Sequence, residues 1–200
     1  MKRQMFFVSI GLVLVLSTGG CTAIQKILFH ERHEITTSDA KKIHPRSHLS
    51  HHHIRLTLEQ AQAMNQLYGQ AIAAEGNVIT YYEARPQKGI YGERGNIFLV
   101  QAKGESGLLD ILVCTTDGQI DEVLIKDGRS PDGHLAISAQ FLDQFIGRTL
   151  QDSWKVAQTA SDLVDLPAKL RPLAGDIRTS EEVASAIRKI LVWAQVLQIQ

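Results

Sequence analysis

Cysteine is scarce: the 200-residue chain has two, Cys21 and Cys114. Two thiols exclude a disulfide framework and a four-cysteine zinc site. An excess of charge of either sign is missing too. The 21 basic and 21 acidic residues cancel. No basic surface stands ready for a phosphate backbone, so nucleic acid is not an expected partner. The chain holds no G-x-G-x-x-G, P-loop, G-x-S-x-G or C-x-x-C-H. That removes the motif-borne routes to dinucleotide, nucleoside-phosphate, serine-hydrolase and c-type haem chemistry. There are no internal repeats and no βαβ alternation. The apolar run Met5–Leu16 falls short of the roughly 20 residues of a spanning helix. What remains is a globular composition, 44% hydrophobic and 21% charged.

The first residues read as an address. Lys2 and Arg3 precede the apolar run, and Ser17-Thr18-Gly19-Gly20-Cys21 follows it. Small residues before a cysteine let a peptidase grip an extended backbone there. The segment resembles a bacterial lipoprotein signal, cleaved before Cys21. The alternative is an ordinary secretory signal with a chance cysteine. The resemblance implies that residues 1–20 are removed and that Cys21 is acylated, palmitate included. Two or more acyl chains hold a protein stably at a membrane. Thr22 stands where an inner-membrane retention signal has aspartate, which favours the periplasmic side of the outer membrane.

Residues 21–55 show no sustained period and read as a tether between lipid and domain. They carry seven of the eight histidines: His30, His33, His44, His48, His51, His52 and His53. On a helix, His44, His48 and His52 would share one face. Such a face is a candidate site for Zn, Cu or Ni. The alternative is a solvated linker that gains positive charge below about pH 6.5.

Residues 56–197 read as one α+β domain, an antiparallel meander sheet packed with helices. Thr57 with Gln60 predicts a capped helix, with Ala61, Met64, Tyr68 and Ile72 on one stripe and Gly76-Asn77 as its stop. Strands are predicted at Val78–Ala84, Asn96–Lys103, Leu108–Thr115 and Ile120–Lys126, with an Asp117-Gly118 hairpin between the last two. A loop rich in Asp-Gly pairs spans 126–134. A short helix, Ser138–Ile146, turns Phe141, Leu142 and Phe145 inward, with Gly147 as its cap. Pro167 and Pro172 break the stretch that follows. A broad apolar helix runs from Ser180 to Leu197, opened by a Thr179/Glu182 capping box. Cys114 reads as a buried small hydrophobe, not a nucleophile.

The chemistry concentrates at Ala174-Gly175-Asp176-Ile177-Arg178-Thr179-Ser180. Gly175 permits close backbone approach, Thr179 and Ser180 offer hydroxyls, Arg178 offers charge, and a helix N-terminus favours an anion. Asp176, Glu181 and Glu182 repel one. The alternative is a well-capped helix that binds nothing. His134 sits in a glycine-rich loop without a nucleophile elbow. Asp127 and Asp132 read as turn aspartates.

Residues 90–195 resemble the FMN-binding domain family, which includes flavin subunits of sodium-translocating NADH:quinone reductase and of Rnf complexes. The order is the family's: ILVCTTDGQIDEVLI, FLDQFIG, then A-G-D-I-R-T-S against S-G-A-T-x-T-S. Gly175, Thr179 and Ser180 match. The resemblance implies an FMN phosphate near Gly175, Arg178, Thr179 and Ser180. Ile177 replaces the flavin-accepting threonine and has no hydroxyl, so the expected flavin is noncovalent. It also implies electron transfer with a membrane redox protein, more a relay than a stand-alone enzyme. Trp154 and Tyr91 are candidate stackers for the flavin ring. The competing expectations are a flavin-less structural or binding lipoprotein of the same fold, and a metal-binding lipoprotein acting through the histidines. Cys21→Ser is expected to abolish palmitate labelling and to release the chain from the membrane fraction. Label retained on the variant would overturn the anchor.

Overall fold

The computed structural model describes residues 34–69, 78–87, 94–104, 107–126, 139–159, 162, 169–173 and 176–199. Met1–Glu34 cluster as one unit and Ile35–Gln200 as a second. Of the first, only Glu34 is described, so the expected signal segment and Cys21 lie outside the described residues.

The second unit is α+β. Helix α1 spans Thr37–Ile43, with Thr36 and Asp39 forming a capping box. Strand β1 spans His48–Arg55. Helix α2 spans Leu58–Tyr68, opened by the expected Thr57/Gln60 box. Strands β2 (Val78–Arg85), β3 (Gly95–Gly104), β4 (Gly107–Thr116) and β5 (Gln119–Ile125) follow. Helix α3 is Ala139–Asp143, and helix α4 is Ile177–Val196. The strands pair antiparallel in sequence order, β1-β2-β3-β4-β5. This is the expected meander with one strand more.

Local chemistry explains the boundaries. Asp117 and Gly118 have φ of 51° and 79°, the two positive values a two-residue type I′ hairpin demands. Gly69 closes α2 in the left-handed region at φ 92°, so that helix stops before the expected Gly76-Asn77, which lie outside the described residues with Ile72. Helix α4 starts one turn earlier than expected. Its N-cap is Asp176, whose carboxylate accepts from Thr179 N–H at 2.8 Å. The Thr179/Glu182 box is therefore not the cap: Thr179 is already helical, and an aspartate three residues upstream reaches its amide first.

The sheet is buried on both sides. On one face Ile79, Tyr81, Phe98, Val100, Ile111 and Val113 meet α2, α3 and α4 in a single core. Helix α4 supplies Val183, Ile187, Ile190, Leu191 and Trp193 to it. Each such side chain contributes about 1.5–3 kcal/mol on burial. On the other face Tyr82, Ala84, Ile97, Leu112 and Cys114 pack under Ile35, Ala40 and Ile43. The expected burial of Phe141, Leu142, Phe145 and Cys114 holds.

The folded unit therefore begins at Ile35 and takes in residues 35–55, which were expected to lie in the tether. Ile35, Ala40 and Ile43 are needed to cover the second face, and β1 pairs with β2 across eight positions from His48↔Arg85 to Arg55↔Val78. The helical face of His44, His48 and His52 does not form. His44 lies at the C-cap of α1, 4% exposed, with Nε2 3.2 Å from Cys114 Sγ. Gly95 makes the room: a Cβ there would stand 2.5 Å from Cys114 Sγ. His48 and His52 belong to a strand, where the period is 2 rather than 3.6.

Helix α1 is held by charge. Asp39 is 4% exposed and meets Lys126 Nζ at 2.9 Å and Lys42 Nζ at 3.4 Å. Burial pushes its carboxyl up. The Thr36 hydroxyl and amide and the Lys126 ammonium outweigh that and hold it below its ordinary value. A carboxyl lowered on folding stabilises above its unfolded pKa, about 3.9, and loses that contribution as pH falls through the folded value. Asp39→Asn is expected to cost about 2 kcal/mol at pH 7 and far less near pH 2. Urea unfolding at both pH values checks this; an equal loss at both would refute the ion-pair account.

Candidate functional site

Helices α2 and α4 meet through one side chain. Tyr68, in the last turn of α2, donates from its hydroxyl to Ser185 O at 2.9 Å and touches Ser185 Oγ. The Arg188 guanidinium lies over the Tyr68 ring, 5.2 Å from its centre. Beyond this junction the chain between α3 and α4 passes close by, and a cleft of about 560 Å³ opens between them. Its walls are Tyr68, Trp154, Lys155, Gln158, Asp162 and Lys169, with Glu181, Ser185 and Arg188 from one face of α4.

The aromatic wall is rigid. Trp154 stacks on the buried Phe145, ring centres 6.0 Å apart, and its indole N–H donates to Thr149 O at 3.1 Å. A ring fixed on one side and by its polar edge is pre-organised to receive a flat partner.

The charges of the cleft divide into paired and unpaired. Lys169 Nζ meets Asp162 Oδ1 at 2.8 Å. That bond, with the Thr159 and Gln158 amides, pulls the Asp162 carboxyl down to about 2. Asp162 stays ionised and cancels Lys169. Glu181 accepts from the Gln158 side chain at 2.7 Å. Lys155 and Arg188 have no acidic partner among the described residues. Arg188 Nε is buried and lacks a hydrogen-bond partner among the described residues. A buried donor left unmade is costly. A second cleft, about 520 Å³, is lined among the described residues by Asp117 and neutral side chains.

The cradle expected at the start of α4 is placed differently from its reading as an open anion site. Thr179 is 1% and Ser180 0% exposed. Ser180 Oγ donates to Asp176 O at 2.6 Å and accepts from Leu173 N–H at 2.8 Å. Asp176 occupies the Thr179 amide. Arg178 is exposed and does not line the cleft, while Gly175 lies outside the described residues. The Ser180 hydroxyl and the Asp176 carboxylate thus close the helix start internally. Of the other expected residues, Trp154 lines the cleft, whereas Tyr91, Asp127, Asp132 and His134 lie outside the described residues. Tyr68, Lys155 and Arg188 carried no motif. Their meeting depends on α2 crossing α4, which no local pattern signals.

No family model matches the chain, and no curated protein does. Among the described residues, no helix is long and apolar enough to cross a membrane.

Ser180→Ala leaves the Leu173 amide unpaired. It is expected to lower the unfolding free energy by about 1–3 kcal/mol. Urea midpoints of the two proteins measure this; unchanged stability would mean that the hydroxyl is not what closes the turn.

Proposed function

We propose that this chain is a lipid-anchored, extracytoplasmic FMN-binding protein that holds the flavin without a covalent bond and exchanges electrons with a membrane redox protein. The observation that carries this reading is the cleft: unpaired Arg188 and Lys155 beside the fixed ring of Trp154. Its volume of about 560 Å³ sits within the roughly 300–1,000 Å³ of small-molecule sites. The family resemblance puts phosphate at Gly175, Arg178, Thr179 and Ser180. With the Ser180 hydroxyl engaged inside, the charged part of that role passes to Arg188 and Lys155. Trp154 and Tyr68 give the isoalloxazine its flat walls. FMN would supply the redox-active ring; the chain binds, orients and partly shields it. Ile177 leaves no acceptor for a phosphodiester, which keeps the flavin exchangeable. The lipid on Cys21 would hold this domain beside its partner.

A second reading has its own observation. Asp176 caps the same helix start that a phosphate would use, and carboxylate and phosphate repel. On that reading the chain is a flavin-less structural or binding lipoprotein, and the cleft takes a different anion.

The deciding experiment incubates the full chain with FMN, removes free flavin by gel filtration and records the visible spectrum. A bound flavin, released by acid, is expected. Arg188→Gln is expected to weaken binding at least tenfold, since a charge-assisted bond contributes about 1.5–3 kcal/mol. A colourless wild-type protein would leave the flavin-less reading standing. Equal affinity in wild type and variant would move the phosphate away from Arg188.

A further inference from the structure

The charges that cancel over the whole chain do not cancel in its first folded elements. Residues 40–58 hold two lysines, two arginines and five histidines, and no aspartate or glutamate. Folding divides them. His44 is buried against Cys114, and His52 stacks on Tyr81 with its Nε2 3.3 Å from Glu83 Oε2. Lys42 meets Asp39. The rest, Lys41, Arg46, His48, His51, His53 and Arg55, are exposed.

Strand β1 decides where they stand. It ends the sheet, with β2 on one side and no strand on the other among the described residues. Side chains of a strand alternate between faces, and on an end strand both rows border the open edge. His51 lies flat on Tyr82, on the face that α1 covers. His53 and Arg55 follow on that face, His48 lies on the opposite one, and Arg46 stands in the turn between α1 and β1. The carboxylates that border this strip are engaged. Glu83, on β2 beside β1, is bonded to Arg85 at 2.6 Å, which holds its carboxyl below the ordinary value. Asp39 of α1 is paired with Lys126 and Lys42. No acidic group among the described residues pairs with Lys41, Arg46 or Arg55.

We propose that this edge docks the folded unit on an anionic lipid bilayer. A plane of negative headgroups fits a row of separate cations along an edge. A single small anion does not, because neither cleft gathers these side chains. Chain order points the same way. The folded unit begins at Ile35, so α1 and β1 are the first elements after the segment that would carry lipid on Cys21. Each lysine or arginine close to an anionic surface strengthens binding about fivefold, and a tether raises the local concentration of such weak contacts. Imidazoles in water charge below about pH 6.5, so acid adds histidine charge to the strip, while Glu83 and Asp39, both held low, stay ionised. The choice of a bilayer rests on the lipid-anchored reading; the flavin has no part in it.

The test takes the full chain with Cys21→Ser, which has no thiol to acylate there. It is sedimented with vesicles of phosphatidylcholine alone or mixed equally with phosphatidylglycerol. The readout is the ratio of the two partition coefficients, which removes any apolar binding common to both. At about pH 7.5 and low salt the ratio is expected to be at least about tenfold, and to fall as salt screens the charges. Arg46→Gln/Arg55→Gln should cut it at least about fivefold. His48→Gln/His51→Gln/His53→Gln should leave it unchanged at about pH 7.5 and remove the rise expected at about pH 5.5. Arg171→Gln/Arg178→Gln, at exposed arginines outside the strip, should match the parent. Circular dichroism confirms that each variant folds. A parent ratio near one, an equal loss in the Arg171→Gln/Arg178→Gln pair, or complete displacement by inorganic phosphate would overturn the docking edge. Palmitate labelling of the unsubstituted chain reports the anchor separately: no label with the ratio intact would overturn the anchor and uphold the edge.

Discussion

Strands β3 and β4 are buried on both faces, and that constraint organises the molecule. Ile97 and Phe98 are adjacent, point to opposite sides, and are both 0% exposed; Ile111, Leu112, Val113 and Cys114 repeat the pattern. A meander with such a centre cannot stand with one face in water. One side is met by α4, whose stripe is wide enough to lie across the middle strands, and by α2 beside it. The other is met by the short α1 and Ile35, held by the Asp39–Lys126 pair. The breadth of the apolar surface on α4 is thereby explained within the chain.

The cleft follows from the same arrangement. Helix α4 has one face in the core and another turned along the chain that joins it to α3. Tyr68 ties α2 to that second face through Ser185, and Trp154 anchors the joining segment through Phe145. Between these two fixed aromatic side chains Lys155 and Arg188 have no acidic partner among the described residues, while Lys169 is paired with Asp162. The start of α4, by contrast, is closed from within by Asp176 and Ser180. Helix starts need their amides satisfied, and a nearby carboxylate does this as well as a bound anion does.

The histidine-rich segment shows how far a face assignment depends on period. On a helix, positions 44, 48 and 52 would converge. On the strand that forms, His51 and His53 converge, and His52 turns to the opposite side against Tyr81. His44 is drawn inward instead, into contact with Cys114 in space opened by Gly95.

Much of the fold was legible in local sequence because local chemistry decides it. The Thr57/Gln60 box, the Asp117-Gly118 hairpin, the four β-type runs and the stripe of α4 need only neighbours along the chain. Other features depended on distant residues. HLSHHHIR carries little apolar alternation, and it becomes a strand because β2 offers an unpaired edge. The folded unit begins at Ile35 because a sheet face elsewhere needs cover. Tyr68, Lys155 and Arg188 are far apart in sequence, and only the crossing of α2 and α4 makes them walls of one cleft. The motif around Gly175 named candidate side chains by type, but burial decides which of those chains face outward. Spacing along a chain fixes what residues are near in sequence; hydrophobic burial and strand pairing determine what they meet in space.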